Sequence, residues 1–246
     1  MKTYKSHNKN LRIYPSPEDV FLSDIETHKK YLLPCSLLYL PSLDNSLDGY
    51  LPIIIPIEPE WGCVGYLTND YHNYYSRENW IGYKIKNGKC SFIGDFKFFH
   101  QSAFENKPSL TEDEHSLLEG AITGHPIILN SYNLQKKRLT QLNFLSKILN
   151  KQNNPILFSR ELDDNSSLGN WAQVEMPLSE SAYIDSHGDR SYKRVPITQS
   201  GKEFIYIGTV ETNNYVALSD DMYYGTQMLI FYQPEEELML TTFEYS

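Results

Sequence analysis

QMLIFYQPEEELMLTTFEY, residues 227–245, sets two apolar runs, Gln227–Gln233 and Leu238–Tyr245, on either side of Pro234-Glu235-Glu236. Proline followed by acidic residues is turn chemistry, because proline presets one backbone angle and cannot donate to a strand ladder. The stretch therefore predicts two strands folded back as a closing antiparallel hairpin. Working back along the chain, Phe204–Val210, Lys193–Thr198, Trp171–Met176 and Ile156–Ser159 read as further short strands.

Before them the pattern changes. Thr111 followed by Glu114 has capping-box spacing and predicts a short helix to about Ala121. A second helix is predicted from about Asn133 to Gln152. There Leu134, Leu142, Leu145, Ile148 and Leu149 recur on one side, and Lys136, Lys137, Arg138 and Lys147 occupy the other.

Earlier still, Leu37–Leu40, Tyr50–Ile57, Val64–Leu67, Trp80–Ile85 and Cys90–Phe99 are strand-like runs broken by Pro, Gly, Asn and Asp. Asn87-Gly88 between two of them readily takes the positive φ angles of a tight hairpin turn. Ser16-Pro17-Glu18-Asp19 suits a turn or a helix start. Strands, two helices, then strands, without alternating βα units, predict an α+β fold: mostly antiparallel, strand-rich, with two central helices. One domain over residues 1–246 is expected, with a subdomain joint at residues 150–154.

No apolar run approaches the ~20 residues of a membrane span, and the polar start, Met1–Asn10, has no secretory character. Three scattered cysteines, Cys35, Cys63 and Cys90, fit reduced thiols in a cytoplasm. The net charge is −9, and residues 201–246 carry eight acids against Lys202 alone. That field repels nucleic acid and anionic membranes and attracts a basic partner.

Motifs for chemistry are sparse. The histidines lack metal-ligand spacing, and Asp44-x-Ser46-x-Asp48-Gly49 opens like a calcium loop but puts Ile55 where a bidentate Glu belongs. Nucleophile elbows and phosphate-cradling glycine loops are missing too. No metal or cofactor is therefore expected. The densest polar cluster, Asp185 to Arg190, offers His187, Asp189 and Arg190 as an acid–base and anion-holding group, which makes a hydrolase or transferase the alternative reading.

The leading reading is non-enzymatic. With 19 tyrosines the chain has large rigid side chains suited to interfaces. Tyr71, Tyr74 and Tyr75 form one candidate binding patch, and Asp220, Asp221, Glu235, Glu236 and Glu237 form an acidic one.

Phe204–Val210, then Met228–Glu235 and the final Phe243-Glu244-Tyr245-Ser246, resemble the closing hairpin of the bacterial YwqG-like family. The resemblance covers roughly the last 45 residues. It implies a strand-rich α+β fold and a kinship with proteins of toxin-immunity systems, and it brings no catalytic residues. The expected function is a cytoplasmic immunity-type protein that presents an acidic surface to a basic partner such as a toxin.

Overall fold

The computed structural model of the chain describes residues 2–58, 63–145, 155–160, 176–184, 190–216 and 226–245. In chain order these form β1 (Thr3–Tyr4), β2 (Leu11–Ile13), α1 (Pro17–Val20), α2 (Ile25–Tyr31), β3 (Leu32–Tyr39) and β4 (Tyr50–Pro56). Next come β5 (Trp80–Lys86), β6 (Lys89–Phe92), α3 (His100–Phe104), α4 (Glu112–Leu145) and β7 (Phe158–Ser159). The last are β8 (Leu178–Ile184), β9 (Arg190–Pro196), β10 (Ile205–Glu211), β11 (Thr226–Gln233) and β12 (Leu238–Tyr245).

A seven-stranded sheet runs β1-β7-β10-β11-β12-β5-β6, a three-stranded sheet runs β2-β3-β4, and β8 pairs with β9 alone. Every pairing between these strands is antiparallel, so the described residues form an α+β fold.

Period-two alternation divides the large sheet into two apolar faces. Met228, Ile230, Met239, Phe243, Ile81 and Tyr83 join the main core, where they meet the three-stranded sheet and α4. Their neighbours Leu229, Phe231, Leu238, Leu240 and Trp80 point the other way, into a smaller cluster with Met176, Phe204 and Tyr206.

The two hairpins expected at Asn87-Gly88 and Pro234–Glu237 form. Asn87 and Gly88 take φ of 52° and 74°, and β5 pairs with β6 from Tyr83↔Phe92 to Lys86↔Lys89. At the second turn Gln233 pairs with Leu238 across four connecting residues. Ser16 caps α1 through its Oγ, which accepts from the Asp19 N–H at 3.3 Å.

The capping box also closes at the start of α4. Glu114 N–H donates to Thr111 Oγ1 at 3.3 Å, and Thr111 N–H donates to the Glu114 carboxylate at 3.0 Å.

The two central helices are replaced by one. Glu112–Leu145 is continuous through Gly120, Gly124 and Pro126, residues that by local preference end helices. Packing overrides that preference: Ala121, Ile128, Tyr132 and Leu139 are buried at helical spacing. The Tyr132 hydroxyl also donates to Pro34 O at 2.5 Å, and Gln135 Nε2 donates to Asn214 O at 3.0 Å. Of the expected apolar stripe only the side chain of Leu134 is described, and it is 65% exposed. The expected end of the second helix and the joint at residues 150–154 lie outside the described residues.

Two strand expectations also change. Val64–Leu67 is a tight turn with positive φ at Gly65 and Leu67, and the run from Cys90 leaves the sheet after Phe92 to make a 3₁₀ turn at Phe96–Phe98. Of Trp171–Met176 only Met176 is described.

Several tyrosines lie deep in the core rather than on a binding surface. Tyr14, Tyr132 and Tyr215 pack edge to face, with centroids 5.3 and 5.7 Å apart. Their hydroxyls are spent on the Tyr215, Pro34 and Leu157 carbonyls. Burial pushes all three phenols far above their ordinary range.

Pro126 is exposed and removes one hydrogen bond from the interior of α4. Pro126→Ala should therefore stabilise the chain by up to about 3 kcal/mol, read as a higher urea midpoint. Two separate helices broken at this point would gain nothing.

Candidate protein-binding face

Two of the sequence-predicted patches meet at one loop. Ile197–Lys202 is a tight turn in which Lys202 N–H donates to Thr198 Oγ1 at 3.1 Å and Gly201 N–H to Thr198 O at 2.9 Å, with Gly201 at φ 88°.

From one side comes the turn between β11 and β12. Glu236 accepts from Thr198 Oγ1 at 3.0 Å and from the Ser200 hydroxyl, and Glu235 pairs with Lys202 at 2.7 Å. Glu237 lies 3.6 Å from Lys84, whose ammonium also donates to Glu236 O at 2.7 Å. The Ser200 hydroxyl, with help from Thr198, holds the Glu236 carboxyl below its usual range, and the bond to Glu235 raises Lys202. Glu235, Glu237, Lys84 and Lys202 are exposed, where ion pairs contribute little and exchange readily with other partners.

From the other side come the tyrosines. Tyr74 OH donates to Ile197 O at 3.1 Å and to Thr198 O at 2.9 Å, while Tyr75 OH accepts from Gln199 N–H at 3.2 Å. The two rings pack edge to face at 4.9 Å. Asn73 places them, because its Oδ1 accepts from the Tyr75 and Ser76 N–H groups and its Nδ2 donates to Ile93 O. Tyr75 then lies against the sheet where Gly82 leaves room. A Cβ at residue 82 would stand 2.5 Å from the Tyr75 Cβ.

The same loop anchors a β-arm. The base of β8–β9 is fastened by Ile197 N–H to Pro177 O and Phe204 N–H to Pro196 O, with Val195 and Pro196 buried. Further out, Glu180, Ser181, Ala182, Tyr192 and Lys193 are exposed. Arg194 pairs with Glu180 at 2.9 Å across the arm, and Arg190 lies over the Tyr192 ring at 5.4 Å. An isolated two-stranded hairpin is barely stable in water, so the buried base holds the arm in shape.

The remaining predicted residues lie elsewhere. Tyr71 belongs to a separate polar cavity of about 490 Å³ between the 3₁₀ turn Asn69–Tyr71, α3 and the start of α4, with Lys97 5.6 Å over its ring. Glu211 and Glu244 sit beside Gln227 at the far end of β11. Seven residue steps separate them from the acidic turn, about 23 Å at the usual strand rise. Asp220 and Asp221 are outside the described residues, as are His187 and Asp189 of the alternative enzymatic reading; Arg190 is exposed on the arm.

Among the described residues no group of three or more His, Cys, Asp or Glu could hold a metal ion. Asp44 accepts from the Ser46 N–H and hydroxyl within its turn, and His72 Nε2 faces Gly65 O at 2.8 Å. Cys35 and Cys90 are free thiols, and burial pushes both well above the range in which they ionise.

Sequence reasoning missed Thr198, Ser200, Lys84 and the whole of β8. Leu178–Ile184 and Arg190–Pro196 do flank a glycine-containing segment, and that hairpin pattern was the available signal. No family model, no curated protein and no solved structure matches the chain. No helix among the described residues is long and apolar enough to cross a membrane.

The Tyr74 hydroxyl holds two loop carbonyls, so Tyr74→Phe should loosen the loop without unfolding the core. Loss of about 1 kcal/mol of local hydrogen bonding should speed amide exchange of Gln199–Lys202 roughly five-fold, leaving β11 and β12 amides unchanged.

Proposed function

We propose that the chain is a non-catalytic cytoplasmic binding protein of the immunity type, whose face around Thr198 docks a basic protein partner. One observation carries this reading. Tyr74, Tyr75 and Glu235–Glu237, more than 150 residues apart in sequence, converge on the loop that anchors the exposed β-arm. Rigid aromatic area, exchangeable carboxylates and a projecting strand pair together make an adaptable docking surface.

The acidic turn supplies the sign of the partner. Its carboxylates are held by Lys202 and Lys84 in exposed pairs that a cationic surface can displace. The YwqG-like resemblance of the closing hairpin supports the assignment to toxin neutralisation, and the free thiols Cys35 and Cys90 support a reducing compartment.

The test is affinity capture from lysate at roughly 50 and 500 mM salt, followed by kinetics on the purified partner. The triple variant Glu235→Lys, Glu236→Lys, Glu237→Lys should slow association at least about ten-fold while changing dissociation by less than about three-fold. Capture of nothing at either salt would overturn the reading. So would a partner indifferent to the charge reversal.

A further inference from the structure

Glu58, two residues past the end of β4, is 5% exposed, and its Oε2 has no hydrogen-bond partner among the described residues. The other oxygen accepts from Gln101 N–H of α3 at 3.1 Å. Across from Oε2, at 3.9 Å, stands Nδ1 of His100, itself 2% exposed. The opposite ring nitrogen, Nε2, lies 2.9 Å from Tyr66 O. A carbonyl oxygen can only accept, so Nε2 carries the ring hydrogen. In the neutral ring Nδ1 is then a lone pair aimed at a buried carboxyl oxygen.

Two arrangements fit that contact. An ionised carboxylate would need a protonated imidazole, placing two charges in an apolar site. A protonated carboxyl beside a neutral imidazole places none there, and burial favours it from both sides. Burial raises Glu58 to about 7, only partly offset by the Gln101 and His100 N–H groups, and lowers His100 to about 4.

Among the described residues the elements packed around α3 do not supply a compensating charge. His125 of α4 faces Gln101 Oε1 at 3.4 Å, and Glu114 is closed by Lys107 at 2.6 Å. His72 faces Gly65 O, and Lys97 lies over Tyr71.

We propose that Glu58 and His100 hold a single buried proton, on the carboxyl, and that this uncharged pair is a pH-sensitive fastening between the end of β4 and α3. Above neutrality the carboxyl loses that proton with no countercharge at hand, and the fastening weakens. The device is independent of the docking face.

The sign follows from linkage. Glu58 has a folded pKa above its unfolded value of 4.5, so its stability contribution falls as pH rises from 4.5 to about 7. His100 has a folded pKa below its unfolded value of 6.5, so its contribution rises from pH 4 to 6.5. Between pH 4.5 and 6.5 the two cancel, because folding moves one proton from imidazole to carboxyl without net uptake.

Single variants should uncover each half. Relative to the parent chain, the unfolding constant of Glu58→Gln should fall about ten-fold per pH unit across that window, and that of His100→Asn should rise about ten-fold per unit. The double variant should track the parent. Single variants that both run parallel to the parent would overturn the proposal, since each remaining group would then titrate alike in the folded and the unfolded chain.

If a variant fails to fold, the parent chain decides by ¹⁵N imidazole shifts. His100 should remain the neutral Nε2–H tautomer down to about pH 5. A doubly protonated ring at pH 6 would end the proposal.

Discussion

The central strands β10, β11, β12 and β5 carry apolar side chains on both faces, and a sheet of that kind must be covered twice. On one face the cover is generous: the three-stranded sheet, with β3 buried along nearly its whole length, and the long helix α4. The other face is smaller, and its cover is assembled from pieces. Phe204 and Leu178 at the foot of the arm, Met176, and the Tyr75 ring together close Trp80, Leu229, Phe231 and Leu240 away from water. At about 25 cal/mol per Å² of apolar surface removed, large side chains such as Trp80 and Phe231 make that second cover as necessary as the first.

The position of the proposed docking face follows from this requirement. Tyr75 lies across Gly82 because the second face must be capped there, and its hydroxyl then emerges beside the loop at Thr198. The acidic turn reaches the same loop because the β11–β12 connection ends at that edge of the sheet. Lys84 and Lys202 hold the carboxylates in place without burying them. Apolar packing thus sets the location, and surface polar bonds set the fine arrangement.

Features encoded in a few adjacent residues could be read directly from the sequence. Asn87-Gly88 needed only its own backbone preference, the Pro234 turn needed only proline, and the Thr111–Glu114 box needed only a spacing of three. Features decided at long range could not. Gly120, Gly124 and Pro126 look like helix breakers, and α4 runs through them because Tyr132 and Gln135 are tied to β3 and to Asn214. Leu134 looked like a core residue by spacing alone, yet the register of the long helix turns it to solvent. β8 carries the polar run Ser179-Glu180-Ser181, and its strand is completed by pairing with β9. The site was legible only as two unrelated patches. Their meeting depends on hydrogen bonds spanning 124 and 38 residues, which no local pattern records.

The β-arm is built as a lever. At its foot Leu178 packs in the apolar cluster of Trp80 and Phe231 and Val195 is buried, while Glu180, Ser181, Ala182, Tyr192 and Lys193 of its outer half are exposed. Among the described residues β8 and β9 pair only with each other, so a load applied near Tyr192 passes to the base at Thr198. From there it reaches the acidic turn and the tyrosine pair at once, so the posture of the tip and that of the base are mechanically a single variable.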